Sequence, residues 1–142
     1  MKAATGKPIG DRPGPRVVLI DDDEPTRHAM RGLLESGGYV VHEEGNGRDG
    51  LRAIREFHPD VVVTDILMPI LDGCDLARLL QTDRETRHIP IVAATGERHR
   101  SELRERQLFA AVLRKPFSPR DLLDAVDRVR AGSCTGTPAD RI

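Results

Sequence analysis

Short apolar runs recur along this chain, and the segments between them repeat their apolar residues at helical spacing. Alternation of this kind is the pattern of strand and helix units wound around a parallel sheet. The runs predict strands near residues 16–20, 39–43, 61–65, 89–94 and 110–114. Strands one, three and four are continuously apolar, as strands covered on both faces are. The intervening stripes are Ala29, Met30, Leu33 and Leu34; Leu51, Ile54 and Phe57; and Leu76, Leu79 and Leu80, each an ordinary core-facing helical surface. The last helix is the best delimited. Ser118 is its N-cap, Pro119 its first helical position and Asp121 the partner in a capping-box variant. Leu122, Leu123, Val126 and Val129 form its apolar stripe, and Gly132 stops it. A further helix is expected over residues 97–107, a segment of Arg and Glu in which Leu103 is the clear apolar anchor.

Acid follows two of these runs. Val17-Val18-Leu19-Ile20 leads into Asp21-Asp22-Asp23-Glu24, and Val61-Val62-Val63-Thr64 ends in Asp65, followed by the Pro- and Gly-punctuated loop Ile66 to Gly73. Ligands gather at the C-terminal ends of parallel strands. Negative charge concentrated there is unfavourable unless a cation compensates it, which predicts a divalent metal site. The run Ala93-Ala94-Thr95-Gly96 places a hydroxyl after strand four, and Arg114-Lys115-Pro116-Phe117 places a lysine after strand five. Carboxylates hold Mg²⁺ through one or two contacts and leave positions for phosphoryl oxygens. Lys115 adds a mobile positive charge, and Thr95 can donate a hydrogen bond to a phosphoryl oxygen. Asp65 is then the natural nucleophile, because a carboxylate accepts a phosphoryl group as an aspartyl phosphate. Each residue also has a plainer reading: the acids as caps at the positive end of the first helix, Thr95 and Gly96 as turn residues, Lys115 as a surface lysine. Capping explains one of three consecutive aspartates well and three poorly, and the shared placement at strand ends favours chemistry.

The chain has 142 residues, the length of one domain with a full core. Its 22 Lys and Arg nearly cancel 23 Asp and Glu, which argues against a general nucleic-acid or membrane-surface binder. Cys74 and Cys134 lack metal-ligand spacing and suit reduced thiols. With no signal-like apolar region and no bilayer-spanning stretch, a soluble cytoplasmic protein is expected. Residues 1–15 and 133–142, with their Gly and Pro, are expected to form a flexible arm and a flexible tail. His28, His42, His58, His88 and His99 are scattered without ligand spacing, so zinc is not expected. Arg98-His99-Arg100 with Arg104 and Arg106 is interleaved with Glu102 and Glu105 and is best taken as solvated charge rather than a docking patch.

Over residues 16–132 the sequence resembles the receiver domain of two-component response regulators, of the stand-alone chemotaxis-Y-like type. Val17 to Asp22 looks like that family's first strand with its acidic pair. Pro59-Asp60-Val61 through Met68-Pro69 and Asp72-Gly73 resembles its phosphoacceptor segment, Ile89-Pro90-Ile91 to Thr95 its fourth strand and switch hydroxyl, and Lys115-Pro116-Phe117 its lysine turn. The resemblance implies an α/β, flavodoxin-like, doubly wound sheet of five parallel strands in the order 2-1-3-4-5 with five helices. It implies Mg²⁺ as cofactor and a sensor histidine kinase or histidine phosphotransfer protein as donor. Asp65 would be the phosphoacceptor; Asp22, Asp65 and the Leu67 carbonyl would be metal ligands, with Asp21 as an outer or water-bridged one. Asp21-Asp22 and Asp22-Asp23 are both candidate pairs; the first keeps Gly38-Tyr39 at the family's distance and leaves Asp23 as an N-cap. Leu67 and Glu97 would flank the path of attacking water, and Lys115-Pro116 would be cis.

The resemblance thus implies a phosphorylation-controlled signalling protein, with only self-phosphorylation and autodephosphorylation as chemistry. Its outputs are binding of a downstream protein or onward transfer, and a phosphorylation-dependent dimer is left open. Two departures stand out. Val112 occupies the position, three before Lys115, where receivers often carry an aromatic switch residue, and only 20 positions separate Thr95 from Lys115. Val112 keeps a rival alive, a receiver used as a phosphorylation-independent interaction module. An aspartate-nucleophile phosphatase of the haloacid dehalogenase type fits less well, because Pro25 stands four residues after Asp21 where that family carries Thr or Val. A DNA-binding output is least favoured, since the residues after Gly132 are too few for a helix-turn-helix unit.

Overall fold

The computed structural model describes residues 14–96 and 108–132. Its elements run β1 (Arg16–Ile20), α1 (Glu24–Ser36), β2 (Val40–Glu44), α2 (Gly47–Phe57), β3 (Val61–Thr64), α3 (Gly73–Thr82), β4 (Ile91–Thr95), β5 (Ala111–Arg114) and α4 (Pro119–Arg130). The sheet order is β2-β1-β3-β4-β5 with every pairing parallel, the flavodoxin-like arrangement. Four helices are described. The one expected over residues 97–107 lies outside the described residues, as do residues 1–13 and the tail from 133, so α4 is the last helix of the sequence expectation. Within the expected arm, Pro15 is tied to the sheet: its carbonyl accepts from Val40 N at 2.8 Å.

Side chains of a strand alternate between faces, and here that alternation divides the core in two. Val17, Leu19, Val61, Val63, Val92 and Ala94 face α1 and α4, where they meet Met30, Leu34, Leu122 and Val126. Val18, Ile20, Val62, Ile91 and Ala93 face α2 and α3, where they meet Ile54, Leu76 and Leu80. The three strands with continuous apolar runs are β1, β3 and β4, buried almost throughout; β5, at the edge, is only half-buried.

Strand limits differ from the sequence expectation by one or two residues, for local reasons. Tyr39 N bonds to Leu34 O in the turn that ends α1, so β2 starts at Val40. Ile89 N bonds back to Thr86 O, and Pro90 has no N–H to give the ladder, so β4 starts at Ile91. Two residues assigned to helical stripes are instead exposed, Ala29 on α1 and Leu79 on α3. At about 100° per residue Ala29 lies well round from Met30 and Leu34, whereas Leu79 lies about 60° from Leu76 and about 100° from Leu80, at the margin of the buried face. The expected capping box of α4 is present: Asp121 N donates to Ser118 Oγ and Ser118 N to the Asp121 carboxylate, with Pro119 in the first turn.

Candidate functional site

The C-terminal ends of β1, β3, β4 and β5 bring the singled-out residues to one edge of the sheet. Asp21, directly after β1, is 1% exposed. Its Oδ1 accepts from Asp23 N at 2.9 Å and its Oδ2 from Lys115 Nζ at 2.8 Å. Asp22 is exposed beside it. Asp23 is engaged elsewhere: as N-cap of α1 it accepts from the backbone N–H and the hydroxyl of Thr26, and the hydroxyl bond above all holds its carboxyl below the usual aspartate value. Of the three consecutive acids, Asp21 and Asp22 therefore share the pocket while Asp23 caps the helix.

Asp65 follows β3 and is half-buried. Its backbone N–H extends the sheet ladder to Ile20 O at 3.0 Å, its Oδ1 accepts from Ile66 N at 2.7 Å, and its Oδ2 from Lys115 Nζ at 3.3 Å. Burial pushes the Asp65 carboxyl above its ordinary value; the Lys115 charge opposes this and the Asp21 charge adds to it. Lys115 also titrates above its ordinary value. Burial would lower it, but the hydrogen bond to Asp21 and the charges of Asp65 and Asp21 outweigh burial. Both directions fit one picture: a lysine stabilised by two acids, and one of those acids crowded by the other.

Lys115 is set by the turn after β5. Its backbone N–H bonds to Thr95 O at 2.8 Å, and its peptide bond to Pro116 is cis, as expected. Thr95 is 3% exposed, and its hydroxyl is the one buried side-chain polar atom, among the described residues, that lacks a hydrogen-bond partner. Such orphans are uncommon in folded proteins and call for an explanation. Leu67 lies in the β3–α3 loop with its side chain exposed, and Val112, half-buried, packs on the α2/α3 side of the core. Glu97 lies outside the described residues.

One oxygen from each of Asp21, Asp22 and Asp65 falls within a cluster no more than 4.8 Å across. Oxygen-rich, doubly anionic or more, and open to solvent through Asp22, this donor set fits a hard divalent cation that keeps several waters. Lys115 lies beside the same carboxylates and supplies part of the compensating charge.

Two supporting contacts, one of them at the Gly73 already noted in the phosphoacceptor-like segment, appear only in the fold. Gly73, at the start of α3, has no room for a side chain: a Cβ there would sit 2.3 Å from Asp65 O and 2.9 Å from Ile66 Cα. Its N–H donates to Ile66 O at 2.8 Å, so the helix start is laid directly against the Asp65 peptide. Arg27, in the first turn of α1, donates from Nη1 to Asp21 O and from Nε to Glu43 Oε1, each at 2.8 Å. The Asp-Gly pair is a sequence cue to the first; nothing in the spacing of Arg27 and Glu43 announces the second.

The family described as "Response regulator receiver domain" matches residues 17–127. Protein PilH of Pseudomonas aeruginosa is 34% identical over 119 residues, spanning 82% of this chain and 98% of that protein. The polar-differentiation response regulator DivK of Brucella ovis is 35% identical over 80 residues, which cover 56% of this chain and 65% of DivK, just under two thirds of its length. Among solved structures, a response regulator from Chloroflexus aurantiacus superposes with a TM-score of 0.79 at 26% identity, covering 84% of this chain and 99% of the other. The chemotaxis response regulator CheY4 of Vibrio cholerae gives 0.76 at 25% identity, covering 82% and 99%. Receiver domains generally bind Mg²⁺ in an acidic pocket, and Asp21, Asp22 and Asp65 form an acidic cluster here. With its sheet order, its acidic edge and a match over most of its length, this chain belongs to the response regulator receiver domain family.

Proposed function

We propose that this receiver domain is a phosphorylation-controlled switch in which Asp65 accepts a phosphoryl group from the phosphohistidine of a sensor histidine kinase or histidine phosphotransfer protein. The observation that carries this reading is the meeting of Asp21, Asp22, Asp65 and Lys115 at one sheet edge. Asp65 Oδ1 is held by Ile66 N–H, which leaves Oδ2, with its single longer bond to Lys115, as the attacking atom. As the new P–O bond forms, the P–N bond of the donor breaks and its electron pair returns to the imidazole nitrogen. Lys115 then passes its hydrogen bond from Oδ2 to a phosphoryl oxygen. Thr95, whose hydroxyl has no partner among the described residues beforehand, donates to another. Asp21, Asp22, Asp65 and the Leu67 carbonyl would hold Mg²⁺, which supplies charge neutralisation at the phosphoryl group.

The partner that reads the phosphorylated state is a protein bound at the face containing β5 and α4. A conformational response needs a differential interaction between two states, and the new bonds of Thr95 and Lys115 provide it. On this reading the chain is a signalling component with no turnover of an external substrate, working in the cytoplasm. Among the described residues no helix is long and apolar enough to cross a membrane. Val112 favours a second reading, in which the receiver binds its partner regardless of phosphorylation.

Intact mass after incubation with acetyl phosphate tests the first reading. A single Mg²⁺-dependent phosphoryl adduct, absent in Asp65→Asn, is expected. No adduct from acetyl phosphate or from cognate kinase, with Mg²⁺ binding demonstrated, would select the phosphorylation-independent module.

A further inference from the structure

The acidic pair after β1 needs a brace, because two adjacent carboxylates facing a third repel one another and the strand ladder has ended. Ile20 is the last residue of β1, and Asp21 N still bonds across to Glu44 O at 3.2 Å. Beyond that point the chain turns into α1. The Asp21 carbonyl, which belongs to the peptide linking Asp21 to Asp22, accepts from Arg27 Nη1 at 2.8 Å. Fixing that oxygen restrains the peptide plane, and with it the positions of the two α-carbons from which the Asp21 and Asp22 side chains leave the backbone.

Arg27 is itself held. Its side chain is 15% exposed, and its Nε donates to Glu43 Oε1 at 2.8 Å. Glu43, on β2 and 10% exposed, accepts on its other oxygen from Arg31 Nη1 at 2.8 Å and lies 3.3 Å from His28 Nδ1. Burial would raise the Glu43 carboxyl, but the hydrogen bonds from Arg31 and Arg27 outweigh burial and leave it lowered, hence ionised and available as an anchor. A planar guanidinium makes these two bonds in a fixed fork; an ammonium offers no such geometry.

We propose that Arg27, anchored by Glu43, is a positioning residue for the Asp21–Asp22 pair and thereby sets the affinity of the acidic pocket for a divalent cation. It acts through the backbone of Asp21 and is not one of the three carboxylates of the cluster. Its contribution is to hold the linking peptide through the Asp21 carbonyl while Glu43 holds Arg27 in turn. The proposal rests on the reading of that pocket as an Mg²⁺ site.

Mg²⁺ titration by calorimetry on the whole chain tests it, with the rate of labelling by acetyl phosphate against Mg²⁺ as a second readout. Arg27→Lys, which keeps the charge and loses the fork, is expected to weaken Mg²⁺ at least fivefold, and Glu43→Gln to weaken it by a smaller factor. The labelling rate should return to the native level at saturating Mg²⁺, so that only the Mg²⁺ requirement rises. Tyr39→Phe, which loses the Tyr39 hydroxyl bonds to Asp127 and Arg130 far from the pocket, is the control for general destabilisation and should bind Mg²⁺ as the native chain does. Native Mg²⁺ affinity in both Arg27→Lys and Glu43→Gln would overturn the proposal, as would an equal loss in Tyr39→Phe. Absence of Mg²⁺ binding by the native chain would instead overturn the metal-site reading beneath it.

Discussion

Lys115 Nζ lies 2.8 Å from Asp21 Oδ2, closer than its 3.3 Å approach to Asp65, and Asp21 is almost wholly buried. The lysine is therefore as much the counter-charge of Asp21 as of the candidate phosphoacceptor Asp65. Removing one partner of a buried pair leaves an uncompensated charge, at a cost of about 3–5 kcal/mol in a closed interior. Lys115 is partly solvated, so Lys115→Met should lose roughly half of that, about 2 kcal/mol, in urea unfolding with EDTA present. Mg²⁺ should then restore more stability to the variant than it adds to the native chain, where saturation to ten times its Kd contributes about 1.4 kcal/mol. Equal responses of the two chains to Mg²⁺ would show that Lys115 does not compensate the pocket.

Thr95→Val keeps the side-chain volume and deletes a hydroxyl that has no partner among the described residues. Burying an unsatisfied hydroxyl costs about 1–3 kcal/mol, so the variant should be as stable as the native chain or up to about 1 kcal/mol more stable by chemical unfolding. Its phosphorylation by acetyl phosphate should persist, whereas phosphorylation-dependent partner binding should weaken more strongly. Thr95→Ala should show the same split between chemistry and coupling. Equal losses in labelling and in binding would remove Thr95 from the switch.

The doubly covered strands and the residues at the strand ends were legible because each rests on a short sequence rule, whereas the sheet order and the choice of Asp21-Asp22 over Asp22-Asp23 came from the family resemblance. Continuous apolar runs mark the doubly covered strands β1, β3 and β4, and Ser118-Pro119 with Asp121 marks the start of α4. Asp21, Asp22, Asp65, Thr95 and Lys115 follow from the position of strand ends, since in a parallel sheet those ends share an edge. What was illegible depends on distances across the fold. Arg27 meets Asp21 and Glu43 only after β2 pairs with β1, and no local pattern encodes that meeting. The exposure of Ala29 and Leu79 likewise follows from the rotation of each helix on the sheet, which an apolar stripe indicates only to within a residue or so.

Burial and the nearby Asp21 charge raise the Asp65 carboxyl above its ordinary value. For an acid, a raised folded-state value means that the native chain holds the proton more tightly than the unfolded chain does. Ionised Asp65 therefore subtracts from stability at neutral pH, and that cost is relieved as pH falls through the folded value. Asp65→Asn should accordingly melt at a higher temperature than the native chain at pH 7 without Mg²⁺, with the difference shrinking in acid. Because only the carboxylate attacks phosphorus, labelling by acetyl phosphate should also fail on acidification earlier than an ordinary aspartate would. A melting temperature lowered by Asp65→Asn at pH 7 would contradict the sign.

The packing of Gly73 against the Asp65 peptide leaves no space for even one added carbon. A methyl group at Gly73 would stand 2.3 Å from Asp65 O and 2.9 Å from Ile66 Cα, and both are backbone atoms that cannot swing aside. Gly73→Ala must either lift the first turn of α3 or push the Asp65 peptide outward. Lifting the helix would strain the Gly73 N to Ile66 O bond of 2.8 Å and loosen Leu76 from its wholly buried place. Overpacking of this kind costs about 1–3 kcal/mol, which chemical unfolding would read directly. Displacing the peptide would move the Asp65 carboxylate from Lys115 and from the Asp21–Asp22 pair, and since misplacement of reacting groups by about 1 Å can cost on the order of a hundredfold, labelling by acetyl phosphate should slow at least tenfold. Gly32→Ala, on the exposed side of α1 with nothing within 4 Å of the added methyl, is the matched control and should leave the labelling rate unchanged. Native labelling and native stability in Gly73→Ala would mean that the helix start is not seated on the Asp65 peptide.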